Sequence, residues 1–297
     1  MLRIARIMIF SIVNDLIIII IIYINIIMNK EDDTEKTEAV EVKNTTEKFK
    51  PIPILPLQDV LVDEDIDRNP ILPRITRNRG FNMILMGATN CGKTCFINNL
   101  ILNEDCFGGK ENAFEEVYFF SPSVNLDDSC RFIREHFITF DEYKDEYLEE
   151  ILEKQREKNN EEMDKVLIVI DDAVGTISKN QGALINKFSS RYRHYNTNLI
   201  FSVQSWRALS SVIRVNAGYM VIFRVPNLKE LEKINDEVGG IYRDRLITMF
   251  IDATEADYGF LYLNLRSNPP RAFKNFDSEY DYRAMKITSM KEYIKYF

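Results

Sequence analysis

The stretch 84-ILMGATNCGKTCF-96 decides the fold of this 297-residue chain. The short apolar run from Phe81 to Met86 reads as a strand that is buried on both faces. It leads into 87-GATNCGKT-94, which matches the phosphate-binding pattern G-x-x-x-x-G-K-[ST], and 95-CFINNLIL-102 then has a helical pattern. A buried strand, a glycine-containing loop and a helix, in this order, predict a nucleotide site.

The residue types in this loop suit the phosphates of a nucleotide. Gly87 and Gly92 allow backbone N–H groups to turn inward around the β-phosphate at a helix N-terminus. Lys93 is expected to reach the β- and γ-phosphates, and the Thr94 hydroxyl is expected to bind Mg²⁺. Four further residues complete the cradle: Ala88, Thr89, Asn90 and Cys91. The loop alone does not decide the reaction, because kinases, switches, unfoldases and nucleic-acid motors all use it.

A second anchor for the metal comes from 165-KVLIVIDD-172, in which an apolar run is followed by two acids. Such acids at the end of a buried strand are costly without a cation nearby. We expect Asp171 to hold the Mg²⁺ shell through water and Asp172 to polarise the attacking water. The strand predicted at 199-LIFSVQS-205 carries Gln204 at its C-terminal end, where parallel sheets place ligand-facing residues. A glutamine there can sense the γ-phosphate or orient the water.

The remaining patterns alternate between strand and helix, which predicts an α/β domain with a mostly parallel sheet. The helix expected at 141–162 has one apolar stripe on an acidic background, typical of an amphipathic surface helix. The tail at 258–276 reads as a strand, a Pro-Pro turn and a second strand. The other expected elements are strands at 116–123 and 219–225 and helices at 182–195 and 227–239.

Together these motifs resemble the FtsK–HerA superfamily of DNA-pumping P-loop ATPases, and within it the genome-packaging ATPases of nucleocytoplasmic large DNA viruses and virophages. The resemblance covers roughly residues 75–265. It implies a RecA/FtsK-like P-loop NTPase fold, a three-layer sandwich around a mostly parallel sheet, with an N-terminal extension. The residues that carry it are 87-GATNCGKT-94, 166-VLIVIDD-172, 191-RYRHYNTNLIFSVQSWRALSSVIRVNAG-218 and 219-YMVIFRV-225.

The resemblance also implies an activity, namely hydrolysis of ATP with Mg²⁺ to move double-stranded DNA into a viral capsid. Lys93 and Thr94 would bind the nucleotide and Mg²⁺, Asp171 would complete the metal site, Asp172 would be the catalytic carboxylate and Gln204 the sensor. Asp172 stands where many relatives carry Glu. The family's arginine finger acts on a neighbouring subunit's ATP in a ring of five or six copies; it corresponds best to Arg193, with Arg191 close behind. Capsid proteins are further expected partners.

Charge is unevenly spread along the chain. The sequence has 38 Lys and Arg against 46 Asp and Glu, and this net charge of −8 argues against indiscriminate coating of nucleic acid. The segment between Asp172 and Glu230 nevertheless contains no acid, and its basic residues are Lys179, Lys187, Arg191, Arg193, Arg207, Arg214, Arg224 and Lys229. This segment is either a solvated face or a surface that meets the phosphates of nucleotide or DNA.

The N-terminal part is separate from the ATPase domain, which we place at 75–297. Residues 7–28 form an apolar run long enough to cross a bilayer, but an Asn-Asp pair interrupts it and the flanking charges oppose a cytoplasmic ATPase. The segment 1–28 is either a non-native or dispensable extension or a membrane anchor. Residues 29–74 read as an acidic, proline-containing linker. Four cysteines without framework spacing favour an intracellular setting, which the resemblance narrows to host cytoplasm, viral factory or virion.

Three other functions fit parts of the pattern. Asp172-Ala-Val-Gly175 matches the D-x-x-G of nucleotide-dependent switches, but 186-NKFS-189 lacks the Asp that guanine recognition requires. A small nucleotide kinase would need an Arg-rich lid, which the sequence does not show. A membrane-anchored DNA-transfer ATPase stays open because residues 7–28 allow it.

Overall fold

A computed structural model of the chain describes residues 71–73, 80–108, 113–159, 162–172, 183–225 and 227–288. The predictions for residues 1–70 and 173–182 therefore lie outside the described residues, including those for the apolar run, most of the linker, Gly175 and Lys179. None of the described helices combines the length and the apolarity that a membrane span requires.

One mixed sheet organises the described residues, and helices connect its parallel strands. The strands are β1 (Asn82–Met86), β2 (Glu116–Phe120), β3 (Ile138–Phe140), β4 (Val166–Asp171), β5 (Thr197–Val203), β6 (Tyr219–Phe223), β7 (Phe260–Asn264), β8 (Arg271–Lys274) and β9 (Ser278–Glu279). The helices are α1 (Lys93–Leu102), α2 (Arg131–His136), α3 (Asp145–Arg156), α4 (Ala183–Phe188), α5 (Ser211–Asn216), α6 (Leu228–Val238) and α7 (Leu246–Ala253).

The strand order is β3-β2-β4-β5-β1-β6-β7-β8-β9. All pairs from β3 to β6 are parallel, and the pairs from β6 to β9 are antiparallel. The register aligns Met86 with Val203 and Asp171 with Ser202. The C-terminal ends of β1, β4 and β5 therefore meet at one edge of the sheet, which is where the sequence placed its functional motifs.

Each face of the sheet has its own apolar core, because alternate residues of a strand point to opposite faces. On β1, Ile84 and Met86 belong to one core and Met83 and Leu85 to the other, and all four are fully buried. Apolar residues of α1 and α2 pack on one face, and those of α3, α4, α6 and α7 pack on the other. The predicted three-layer α/β fold with a mostly parallel sheet is thus confirmed.

The helix predicted at 182–195 is wrong as one continuous element. The chain forms α4 and then a separate 3₁₀ turn, Tyr192–Tyr195. The hydroxyls of Ser189 and Ser190 donate to backbone carbonyls in the last turn of α4, at 2.8 and 2.9 Å. These hydroxyls compete with backbone donors for the same carbonyls and favour an end to the helix.

Other differences concern length and short elements. The helix expected at 141–162 is the shorter α3, and the strand expected at 116–123 ends at Phe120. The sequence analysis missed α2, β3, α5, α7 and β9. Of these, α2 and α5 have only six residues each, too few to show a helical period, and the eight-residue α7 is buried on several sides. The strand–turn–strand predicted at 258–276 is confirmed as β7 and β8.

The buried side chain of Asn198 joins β5 to both neighbouring strands. Its Oδ1 accepts the backbone N–H of Phe81 at 3.0 Å, and its Nδ2 donates to the carbonyl oxygen of Val166 at 3.2 Å. Phe81 leads into β1 and Val166 begins β4. One amide therefore satisfies a backbone group on each side of β5, at the sheet edge opposite the motifs.

We expect Asn198→Ala to lower the free energy of unfolding by about 2–4 kcal/mol, because two buried backbone groups lose their partner. Urea denaturation of both proteins measures the change. Asn216→Ala is the matched control, since the Asn216 amide makes only an exposed bond to Val212 within α5, at 2.8 Å. Equal losses for the two variants would contradict a bridging role of Asn198.

Candidate nucleotide site

The phosphate loop, residues 87–94, is fixed by the two strands that flank β1. The Gly87 N–H donates to the carbonyl oxygen of Val203 at the end of β5, at 3.2 Å. The Ala88 N–H donates to the carbonyl oxygen of Arg224, just past β6, at 2.9 Å. The loop therefore rises from the sheet edge between β5 and β6, with its path set by backbone bonds.

The two glycines of the loop are required by its shape. Gly92 has a φ of 101°, a left-handed conformation that other residues rarely adopt. A Cβ added to Gly87 would lie 2.5 Å from the Cys91 sulfur and 2.8 Å from Cβ of Phe223. Asn90 also has a positive φ, of 59°, which asparagine tolerates better than most residues. The loop is thus closely packed against the sheet and leaves its outer face for a ligand.

Lys93 begins α1 and holds its ammonium group inside the loop. Its Nζ donates to the carbonyl oxygens of Gly87 and Ala88, both at 3.0 Å, and the residue is buried. Thr94, which follows it in the first turn of α1, is half-buried. A positive charge at the N-terminus of a helix favours an anion such as a polyphosphate.

The two acids predicted to serve the metal lie at the end of β4, and they differ in environment. Asp171 is 4% exposed, and its Oδ1 accepts no hydrogen bond within the described part of the chain. Burial raises the pKa of Asp171 to about 6; the neighbouring Ser202 hydroxyl opposes this rise, as Lys93 does, and the charge of Asp172 adds to it. A buried carboxylate oxygen without a partner fits a cation or its bound water. Asp171 and Thr94 would therefore hold Mg²⁺.

Asp172 is half-buried and has a left-handed backbone, with a φ of 49°. Its N–H donates to the carbonyl oxygen of Ser202 on β5 at 3.0 Å, so the turn that carries it is fixed to the neighbouring strand. This conformation directs the chain out of β4 directly after Asp171. The two consecutive acids thus belong to different backbone environments, one inside the strand and one beyond it.

Gln204 connects Asp172 to the phosphate loop. Its Nε2 donates to Asp172 Oδ2 at 2.9 Å, and its Oε1 accepts the Thr89 hydroxyl at 3.0 Å. The bridge is possible because β5 lies between β4 and β1 in the sheet. The sequence predicted Gln204 at the site but gave Thr89 only a backbone role. Nothing in the sequence pattern reveals the Thr89 contact, because it depends on the strand order.

A buried carboxylate that sequence reasoning missed anchors the segment after Gln204. Glu230 Oε2 accepts the Trp206 N–H at 2.5 Å and lies 3.4 Å from the Ser205 hydroxyl, while Lys233 pairs with the other carboxylate oxygen. Burial acts to raise the pKa of Glu230, but the bonds from Lys233 and Trp206 outweigh it and lower the pKa. The end of β5 is thereby tied to the first turn of α6.

Arg193 is the one predicted site residue that the structure separates from the others. It lies in the 3₁₀ turn before β5, whereas the phosphate loop contacts the end of that strand. A strand of seven residues spans roughly 20 Å, so Arg193 and Arg191 occupy the opposite edge of the sheet. The Arg193 guanidinium is exposed and lies 5.8 Å from the centre of the Tyr192 ring.

The basic stretch is not uniformly available for phosphates. Arg214 pairs with Glu237 at 3.0 Å and lies over the Trp206 ring, so part of its charge is already compensated. Arg224 Nη2 donates to the carbonyl oxygen of Thr254 at 3.0 Å, which holds it beside the loop. The guanidinium groups of Arg214 and Arg224 are thus already engaged by other groups of the described fold.

Residues 74–254 match the family model described as Poxvirus A32 protein. Among solved structures, the chain is similar to B204, the DNA-packaging ATPase from Sulfolobus turreted icosahedral virus, with 13% identity, a TM-score of 0.47 and coverage of 64% of this chain and 95% of that one. The chain is also similar to the genome-packaging NTPase B204 from Sulfolobus turreted icosahedral virus 2 in complex with ATP-γS. The identity is 15% and the TM-score 0.43, and the match covers 64% of this chain and 95% of that one. For the pCW3 conjugation coupling protein TcpA, the identity is 14% and the TM-score 0.44, and the match covers 75% of this chain and 66% of that one. No curated protein sequence matches the chain.

We expect Asp171→Asn to stabilise the protein without nucleotide at pH 8, by about 1–3 kcal/mol in the free energy of unfolding. The folded-state pKa of about 6 lies above the usual 3.8, so ionisation of Asp171 opposes folding as pH rises through this window. At pH 4 the carboxyl is protonated in the folded state and partly protonated in the unfolded state, so most of the gain should be lost.

Urea denaturation at pH 8 and pH 4 measures both values. Asp128→Asn, on the exposed surface, is the control and should change neither. A gain for Asp171→Asn that is equal at both pH values would show that its cause is not the buried charge.

Proposed function

Because the chain belongs to the poxvirus A32 protein family, we propose that it is an ATP-hydrolysing motor that moves double-stranded DNA into a viral capsid. The observation that carries the ATPase part is the Gln204 bridge, which joins Thr89 of the phosphate loop to Asp172 beside the buried Asp171. This bridge supports the proposal because it connects a carboxylate and an amide to the loop that would hold the terminal phosphate of a nucleotide. The DNA part rests on the family and on the motif order.

Each residue then has a defined task in hydrolysis. Lys93 and the loop N–H groups bind the β- and γ-phosphates, and Thr94 and Asp171 hold Mg²⁺, which neutralises the phosphate oxygens when bound. Asp172 accepts a hydrogen bond from the attacking water and takes its proton as the water adds to the γ-phosphorus. Gln204 holds Asp172 in place and orients the water. The bond between the γ-phosphorus and the oxygen that bridges it to the β-phosphate then breaks, and ADP leaves with that oxygen.

A neighbouring copy would supply the remaining positive charge. Arg193 lies roughly 20 Å from the phosphate loop of its own chain, so it serves a site only in another subunit. It makes no ion pair with any other described residue, so its charge is uncompensated there. We infer a ring of five or six copies around DNA, in the host cytoplasm, viral factory or virion, with capsid proteins as partners.

The test of this function is the ATPase rate of the chain with and without linear double-stranded DNA, over a series of protein concentrations. We expect DNA to stimulate the rate, and the rate to rise more than linearly with protein. Asp172→Asn should lower kcat by about 10²–10⁴ because the general base is lost. A rate that ignores DNA and is linear in protein would contradict the motor and favour a nucleotide-dependent switch.

We expect Arg193→Ala to bind ATP normally and to lower kcat by about 10³, because a transition-state charge is lost. Mixing it with Lys93→Ala should restore part of the activity, since each variant lacks a different half of the shared site. Arg156→Ala is the matched control, because the Arg156 guanidinium also lies over an aromatic ring, 5.6 Å from the centre of Tyr195. Full activity of assembled Arg193→Ala would exclude the finger role.

A further inference from the structure

The phosphate loop has a γ-phosphate end and a nucleoside end. Asp171, Asp172 and Gln204 mark the γ-phosphate end, and they lie at the ends of β4 and β5. In the sheet, β5 borders β1 on one side and β6 borders it on the other. A nucleotide with its γ-phosphate at that end would extend in the opposite direction along the loop, toward β6 and β7.

An exposed aromatic residue borders the loop on that side. Tyr258 is 72% exposed, and it lies in the turn that precedes β7. A Cβ added to Gly92 would lie 3.1 Å from Tyr258 Cδ1 and 3.8 Å from its Cβ and Cγ. One side of the tyrosine therefore lies close to Gly92 at the start of α1, while most of its surface remains open to solvent.

The turn that carries Tyr258 is held from several directions. The Gly259 N–H donates to the carbonyl oxygen of Ala256 at 3.1 Å, and Arg224 from the end of β6 donates to Thr254. Phe260, at the start of β7, packs edge-on against Phe96 of α1, with ring centres 5.2 Å apart. These contacts fix the position of the turn relative to α1.

Tyr258 itself contributes little to the stability of the fold. Its φ of 62° is in the left-handed region, which is unfavourable for a bulky residue. Its exposure means that the ring contributes little buried apolar area. Strained backbone and a solvent-facing aromatic surface at a ligand site are features that binding explains and core packing does not.

We propose that Tyr258 forms the nucleobase subsite, and that the adenine of bound ATP stacks on its exposed ring. This inference rests on the proposed function, because the phosphates must be held by the loop for the base to reach the ring. Stacking of a base on an aromatic side chain needs a planar ring and tolerates any base. The subsite therefore adds affinity for a nucleoside triphosphate over a bare polyphosphate, and discriminates weakly among bases.

The test compares binding of ATP and of inorganic tripolyphosphate, both with Mg²⁺, to the whole chain and its variants by calorimetry. Tyr258→Asn removes the ring but accepts the left-handed backbone, and we expect about tenfold weaker ATP binding with unchanged tripolyphosphate binding. Tyr258→Phe keeps the ring and should bind both ligands as the wild type does. Phe132→Ala, an exposed aromatic on α2, is the control for loss of surface area and should change neither.

Unchanged ATP binding by Tyr258→Asn would overturn the subsite, and so would an equal loss for ATP and tripolyphosphate, since Tyr258 would then only support the loop through Gly92. Thermal unfolding of each variant shows that the fold is intact. A wild-type chain that binds neither ligand would instead refute the proposed nucleotide function, so the two failures are distinguishable.

Discussion

The position of β5 between β1 and β4 is the constraint on which the described site depends. The phosphate loop follows β1 and the acids end β4, so these two groups lie one strand apart. The residue that follows β5 therefore stands between them, and Gln204 reaches both Thr89 and Asp172. If β1 and β4 were direct neighbours, the loop and the acids would have no strand end between them. The Asn198 amide secures this arrangement at the other edge of the sheet.

The two adjacent carboxylates at the end of β4 have different electrostatic environments. Asp171 is buried and has a raised pKa, so its charged form is unfavourable until a cation compensates it. Asp172 is closer to solvent and is held by Gln204. The buried charge of Asp171 therefore destabilises the folded protein, and under the proposed function a bound cation would relieve this cost.

The sequence alone predicted much of this structure because several signals are local. The apolar runs of β1, β4 and β5 and the glycine spacing of the loop depend only on neighbouring residues, and so they placed Lys93, Asp171 and Gln204 correctly at one edge. Helix α4 was predicted too long because the helical pattern of the sequence continues past its end. The hydroxyls of Ser189 and Ser190, which bond to carbonyls of its last turn, favour an earlier end. Contacts such as those of Glu230 with Trp206 depend on strand order and helix position, which local patterns do not contain.

The placement of Arg193 at the sheet edge opposite the phosphate loop has a consequence for assembly. Under the proposed function, every subunit presents one acceptor face and one donor face, so contacts between copies are head-to-tail and not two-fold symmetric. Any open string of subunits then leaves one acceptor without a donor at its end. Only a closed cycle provides every nucleotide with an arginine, so closure of the ring would itself switch on the last site.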